Sequence, residues 1–338
     1  MKLIESKAEL ILQQEGLEGV YKQIEFCGRT CYKSEDKITE SSAKAFVERM
    51  INSKHTAMLE QGTVYLKIPY NIFHRVTHPG LCRKYFKNPY TKVTKIYDVY
   101  QGPPISRGIT SDMYLPYLAI TTNYRVMVEN GWLDDLQYLC EPTEYHEKRY
   151  TFKFTTDRGV SHELVRHRVF SFAQESTRYC NYSKDKFGGE ITYILPSWLE
   201  NEDIPKDFGC STDDWGSLIH EYYHYPTDKG RSEWGMEGDL VKNFVFALQT
   251  SEQLYLSQLK LGWTPQQARQ VLPNALKTEV CMTGFASDWK FFFDLRYYGE
   301  TGKSHPDMES LASKARTAMI QAGVWENGNV LLNNTCLK

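Results

Sequence analysis

The sequence predicts one chain that mixes helices and strands, folded as one large domain or two small ones. Three observations carry that reading. The chain has 338 residues, of which 41% are hydrophobic, enough for a sizeable core. Segments with an apolar stripe at helical spacing alternate with short strand-like runs. No apolar run approaches the ~20 residues of a membrane-spanning helix, and the start, Met1 to Ser6, lacks the hydrophobic stretch of a signal peptide.

The elements follow in order. Residues 8–15 read as a strand and 17–28 as a helix, with Leu17, Val20, Ile24 and Cys27 on one face. Thr39 is the expected N-cap of a second helix; its stripe is Phe46, Val47, Met50 and Ile51, and it ends near His55. Thr63 to Ile68 reads as a strand. Residues 70–140 carry Pro79, Pro89, Pro103, Pro104 and Pro116, with a strand expected from Val93 to Tyr100 and a helix from Ile120 to Glu129. A strand returns from Tyr150 to Thr155. Gly159-Val160-Ser161 then marks a strand-to-helix junction, with Ser161 as cap. A long helix is expected from Asp239 to about Leu261, and Thr264-Pro265 starts the next.

Charge narrows the partners. Forty Lys and Arg face 42 Asp and Glu, a net charge of −2, so nothing global favours nucleic acid or an anionic membrane. Any anion must be held by a local cluster. The basic and aromatic residues between Arg75 and Lys95 read as a solvated, partly packed flap. The eight Cys are scattered, as expected of reduced thiols in a cytoplasm. Cys27 and Cys31 are close, but no second Cys pair completes a zinc site, so they read as core thiols.

One stretch stands out: Arg166-His167-Arg168-Val169-Phe170-Ser171-Phe172-Ala173-Gln174-Glu175-Ser176-Thr177-Arg178-Tyr179. Guanidinium forks suit phosphate and an ionisable pyrimidine ring. Leu164, Val165, Val169, Phe170 and Phe172 are expected to bury, and cations among buried residues are costly unless an anion meets them. Arg269, in Ala268-Arg269-Gln270-Val271-Leu272-Pro273, and Arg296, after Phe291 to Leu295, share that placement.

Arg-His-Arg, seven residues, then Ser resembles the signature of flavin-dependent thymidylate synthases. The Arg178-Tyr179, Ala-Arg-x-Val-Leu-Pro, Leu295-Arg296 and Ser304-His305 blocks are similar to that family too. The resemblance is strong over 150–182 and 264–316 and weak over 1–69. It implies an α+β fold, a mostly antiparallel sheet flanked by helices, in a single catalytic domain with an insertion at 70–140.

It also implies a methyltransferase that converts dUMP to dTMP with FAD, methylenetetrahydrofolate and NADPH, as a homotetramer whose sites are shared between chains. Arg296 then faces the pyrimidine and favours its deprotonated ring, and Ser176 lies beside it without needing to act as a nucleophile. Glu163, Arg166, Gln174, Thr177, Arg178 and Arg269 complete the implied dUMP set, with Arg178 and Arg269 chiefly on its phosphate. Flavin contacts are implied for His55, Arg166, His167, Arg168, Gln174 and Ser287.

The chain departs from the widespread family form, which has Gln at 163, Asn at 173 and Glu at 174; here these are Glu163, Ala173 and Gln174. Where the family offers Asn, Arg and Asn to the flavin, this chain has Phe285, Ser287 and Phe291, so the adenosine end is expected to be held differently. A His often follows the family's Glu at position 60; here Gln61 follows Glu60.

Two other patterns resemble known motifs; the first defines a second reading, a zinc hydrolase, and the other is rejected. His220-Glu221-Tyr222-Tyr223-His224 matches a zinc-hydrolase helix, but Pro226 stops the helix soon after and no third ligand follows at a familiar spacing. Gly299-Glu300-Thr301-Gly302-Lys303-Ser304 lacks the first Gly of a phosphate-binding loop, because Tyr297 stands there. A noncatalytic nucleotide- or RNA-binding relative, with the arginines kept and the flavin site lost, is the third reading.

Overall fold

A computed structural model of the chain describes residues 1–69, 84–99, 114–178, 180–184, 189–200, 240–326 and 329–330. The fold is α+β. Its central sheet has four antiparallel strands in the order β2 (Lys7–Ile11), β6 (Arg149–Asp157), β9 (Lys277–Phe285), β7 (Ser171–Gln174). A second antiparallel sheet places β5 (Tyr114–Asn123) between β3 (Thr63–Pro69) and β4 (Lys92–Val99). The strands of the expected insertion therefore complete the sheet that β3 begins. Short β1 (Lys2–Ile4) pairs in parallel with β8 (Thr192–Ile194), and β10 (Trp325–Glu326) with β11 (Asn329–Val330) in antiparallel.

Helices α1 (Gly16–Tyr32) and α2 (Ser42–Asn52) pack on the three-stranded sheet through Val20, Ile24, Phe46 and Val47, over Val64, Leu66 and Ile120. Helices α7 (Ala286–Arg296) and α8 (Pro306–Gln321) cover the central sheet through Trp289, Phe292, Leu311 and Ala315, over Phe152 and Phe154. The Trp289 indole N–H donates to the Tyr150 carbonyl at 3.0 Å, so that large ring is buried with its polar atom satisfied. A third cluster gathers Tyr182, Tyr193 and Tyr255 beside α5 (Leu240–Lys260), which matches the expected long helix.

Local chemistry moves several boundaries. The strand expected at 8–15 is β2 and stops at Ile11, and Gly16, at φ 70°, turns the chain into α1, which runs on to Tyr32 and carries both Cys27 and Cys31. The segment read as a helix from Ile120 is strand as far as Asn123, because β-branched Ile120, Thr121 and Thr122 pair with Leu66, Tyr65 and Val64. Asn123 then caps α3 (Tyr124–Glu129) by accepting from the Val126 N–H at 3.0 Å. Ser41, not Thr39, holds the N-cap position of α2. Asp157, not Ser161, caps α4 (Arg158–Leu164): its carboxylate accepts from the Val160 N–H at 2.8 Å, whereas the Ser161 hydroxyl donates to the Arg158 carbonyl. Thr264 and Pro265 do start a helix, α6 (Pro265–Ala268), with the Gln267 amide oxygen accepting from the Thr264 N–H at 2.9 Å.

This topology brings separate sequence blocks to one place. Strand β6 runs into α4 beside the start of β9, since Asp157 pairs with Lys277. Strand β9 ends at Phe285 and α7 returns along the sheet for 11 residues, or about 16 Å. Its last residue, Arg296, thus arrives beside the end of α4.

Candidate active site

Arg166, His167 and Arg168 lie in the turn between α4 and β7, not on a helix. The His167 N–H donates to the Leu164 carbonyl and the Phe170 N–H to the His167 carbonyl, each at 3.1 Å. The turn sorts the side chains differently from the sequence expectation. Leu164 and Phe170 are buried, but Val165 and Val169 are 39% and 59% exposed. A tight turn shows alternate sides to core and solvent, so these valines stand out with Arg166 and Arg168 rather than beneath them.

Arg296 is held on two edges. Its Nε–H donates to His167 Nε2 at 3.0 Å, and its Nη1 donates to Glu163 Oε2 at 2.8 Å. Arginine only donates, so His167 Nε2 is an acceptor and its proton sits on Nδ1. His167 is buried, with its ring edge-on to Phe170 and Phe292. Burial lowers its pKa to about 4, helped by the charges of Arg296 and Arg166, so the ring is neutral at physiological pH.

A cavity of about 310 Å³ is lined by Arg158, His162, Thr177, Arg269, Pro273 and Asn274 among others. Arg269 Nη1 donates to the Thr177 hydroxyl at 2.8 Å, which joins two of the predicted nucleotide residues across 92 positions of sequence. Arg158 and His162 were not singled out in the sequence. Their spacing of four on a short helix beside the signature was the available signal. Arg178 is exposed next to Thr177 and is not among the residues lining this cavity.

A second cavity, of about 580 Å³, is lined by Arg166, His167, Arg168 and Arg296, with exposed Val169 and Phe291 and the loop Thr301 to Ser304. Arg166 and Arg168 make no ion pair with any described residue. Of the residues predicted for the flavin, His55, Gln174 and Ser287 do not line it. His55 Nδ1 meets the Tyr32 hydroxyl at 2.6 Å, and the Ser287 hydroxyl and N–H both donate to Glu147. The Gln174 amide turns inward, donating to Ser161 at 2.9 Å and to Thr278 at 3.2 Å. Ser176 is fixed by its backbone: its N–H donates to the Cys31 carbonyl at 3.1 Å, and its own carbonyl accepts from the Cys180 N–H. Gln61 is also inward, its Oε1 accepting from the Thr283 hydroxyl.

Beneath the signature lies an ionic cluster that the sequence did not announce. Glu175 is 2% exposed and accepts from Lys277 at 3.0 Å and from the Tyr182 hydroxyl at 3.3 Å. Glu279 pairs with Lys33, with Lys277 at 2.9 Å and with Lys153 at 3.1 Å. Burial alone would raise the Glu279 pKa, but Lys277 and Lys33 hold it at about 2. Beside the cluster, burial raises the Cys27 thiol well above its ordinary value and Cys31 to about 11. Such thiols are protonated and pack rather than attack.

His220, Glu221, His224 and Tyr179 fall outside the described residues. Among the described residues no three His, Cys, Asp or Glu are grouped to hold a metal ion, and no helix is long and apolar enough to cross a membrane.

Residues 142–321 match the family described as Thymidylate synthase complementing protein. Among curated proteins, the flavin-dependent thymidylate synthase of Pyrococcus abyssi is 27% identical over 149 residues, covering 43% of this chain and 46% of that protein. That of Corynebacterium efficiens is 31% identical over 154 residues, covering 45% and 48%. The probable flavin-dependent thymidylate synthase of Paramecium bursaria Chlorella virus 1 is 22% identical, covering 61% and 85%. The chain spans about half the length of the first two of these. Of solved structures, the UMP/dUMP methylase PolB from Streptomyces cacaoi aligns with a TM-score of 0.37 at 16% identity, over 95% of this chain and 93% of that one. Thymidylate Synthase X from Helicobacter pylori, with FAD and dUMP, aligns with a TM-score of 0.34 at 13% identity, over 98% and 99%. Both likenesses are too low to add weight.

Proposed function

We propose that this chain, which belongs to the thymidylate synthase complementing protein family, is a flavin-dependent thymidylate synthase that methylates dUMP to dTMP. The observation that carries the reading is Arg296, a cation fixed between Glu163 and His167 at the meeting point of the two family blocks. A pyrimidine ring becomes nucleophilic at C5 as it loses its N3 proton, and a preoriented guanidinium beside N3 and O4 stabilises that anion. The phosphate goes to Arg269 and Thr177, with Arg158 and His162 closing the same cavity. Arg166, Gln174 and Arg178 complete the nucleotide set that the family resemblance implies. The Ser176 hydroxyl orients the ring and forms no bond to it.

The residues present fit a flavin. Arg166 and Arg168 are cations without carboxylate partners among the described residues, and Val169 and Phe291 expose apolar surface to the same cavity. That combination suits an anionic dinucleotide with a planar ring. When bound, reduced FAD supplies the hydride, with the carbon from methylenetetrahydrofolate and the reducing equivalents from NADPH. In a homotetramer with shared sites, His55 and Ser287 of one chain serve the Arg168 cavity of another. The place of work is the cytoplasm.

The deciding assay is dTMP formation from dUMP, methylenetetrahydrofolate and NADPH, with and without FAD. Turnover should require FAD, and the purified protein should show a flavin absorption spectrum. No dTMP under any of these conditions overturns the reading. Arg269→Ala tests the phosphate end: it should raise the KM for dUMP about tenfold to a hundredfold, the loss of one or two charged hydrogen bonds, with a smaller change in kcat. An unchanged KM would move the phosphate elsewhere.

A further inference from the structure

We infer that His167 and Glu163 are positioning residues for Arg296, which they grip from two sides; this rests on the proposed role of Arg296 toward the pyrimidine. The family resemblance assigned His167 to the flavin and Glu163 to the nucleotide. The side chains themselves point to Arg296. An arginine side chain at a helix end has several rotatable bonds, and a guanidinium that must meet a ring edge has to be stopped in one orientation beforehand. Two contacts do this. The Nε edge is fixed by His167 at 3.0 Å, and one Nη by Glu163 at 2.8 Å. The second Nη has no hydrogen-bond partner among the described residues.

The two gripping residues are themselves anchored. His167 is 8% exposed, wedged against Phe170 and Phe292, and its backbone N–H and carbonyl are both spent in the turn. Phe292 lies on α7, one helical turn before Arg296, so ring and guanidinium are set by the same helix. Glu163 sits in the last turn of α4, whose start is fixed by the Asp157 cap. A neutral imidazole is the right partner. It accepts a hydrogen bond without cancelling the arginine's charge, which two carboxylates would do.

The test compares His167→Gln with His167→Asn in the full chain. A glutamine oxygen reaches the place of Nε2, whereas an asparagine oxygen stops near Nδ1, and both variants are polar and smaller than the ring. The expected result is that H167N lowers kcat/KM for dUMP about tenfold or more and H167Q restores most of it, with flavin per chain unchanged in both. Glu163→Gln keeps an acceptor for Arg296 and should lose less than Glu163→Ala. Crystal structures of the nucleotide-free variants read the guanidinium directly: ordered in wild type and H167Q, displaced or in several conformers in H167N. Parallel loss of flavin and activity in H167N would return His167 to the cofactor, and equal activity of the two His167 variants would remove the grip. If wild type makes no dTMP, the functional reading fails while the crystal structures still judge whether Arg296 is held.

Discussion

Arg296→Ala is expected to abolish dTMP formation, by about a thousandfold or more, while FAD remains bound. The magnitude follows from what the side chain supplies. A single preoriented donor to a developing anion is worth about a hundredfold to a thousandfold, and Arg296 offers a full positive charge as well. It is 19% exposed, so its field is not freely screened by water. The flavin should survive the substitution because Arg166 and Arg168, which also line the larger cavity, remain to meet its anionic groups. Folding should survive too. Glu163 is 31% exposed and can be solvated once its partner is gone. Arg296→Lys is expected to fare little better than Ala. One ammonium cannot meet His167 and Glu163 on two edges and still present a donor to the ring. Titration with dUMP separates the two contributions: a loss mainly in turnover marks charge stabilisation, and a loss mainly in binding marks simple recognition. Near-normal turnover in the alanine variant would take Arg296 out of the mechanism.

The sequence made the cations of the site legible and left their partners hidden. Arg166, Arg168, Arg269 and Arg296 each stood out by their placement among apolar neighbours or in a spaced motif. The fold class was likewise within reach, since β3, β4, β6 and α5 fall within a few residues of where periodicity put them. Partners depend on tertiary approach. Glu163 meets Arg296 only because α7 runs back along the sheet to the end of α4. The exposure of the valines is hidden for a related reason: Val165 and Val169 look like core residues in sequence, and only the turn points them outward. Ile120 to Asn123 shares the helical periodicity that continues beyond it, but its β-branched residues prefer a strand and the helix starts only after the Asn123 cap.

Glu175 shows the same limit most sharply, and it carries the largest expected effect on stability. In the sequence it sits between Gln174 and Ser176 and reads as one more polar signature residue. In the fold it is buried against Lys277, in a cluster where Glu175, Glu279 and Glu35 balance Lys33, Lys153 and Lys277. Removing one member of such a set strands a charge away from water. Lys277→Met should therefore cost about 3 kcal/mol at neutral pH and lower the melting temperature by several degrees. The double substitution Glu175→Leu, Lys277→Met removes one charge of each sign and should recover most of that loss, because an apolar pair of similar volume replaces a buried ion pair at little cost. The acid side has a defined sign. Glu279 is held at about 2 in the fold, below its ordinary value. Its contribution is then fully present above the unfolded carboxylate pKa of about 4.3, and is lost as pH falls from there through about 2. The stability gap between wild type and Lys277→Met should accordingly be constant from pH 7 to about pH 5 and narrow below it. Thermal melts of the three proteins across that range decide the matter. A double variant no more stable than Lys277→Met would show that Glu175 is not coupled to Lys277, and a gap that widens in acid would show that Glu279 is not.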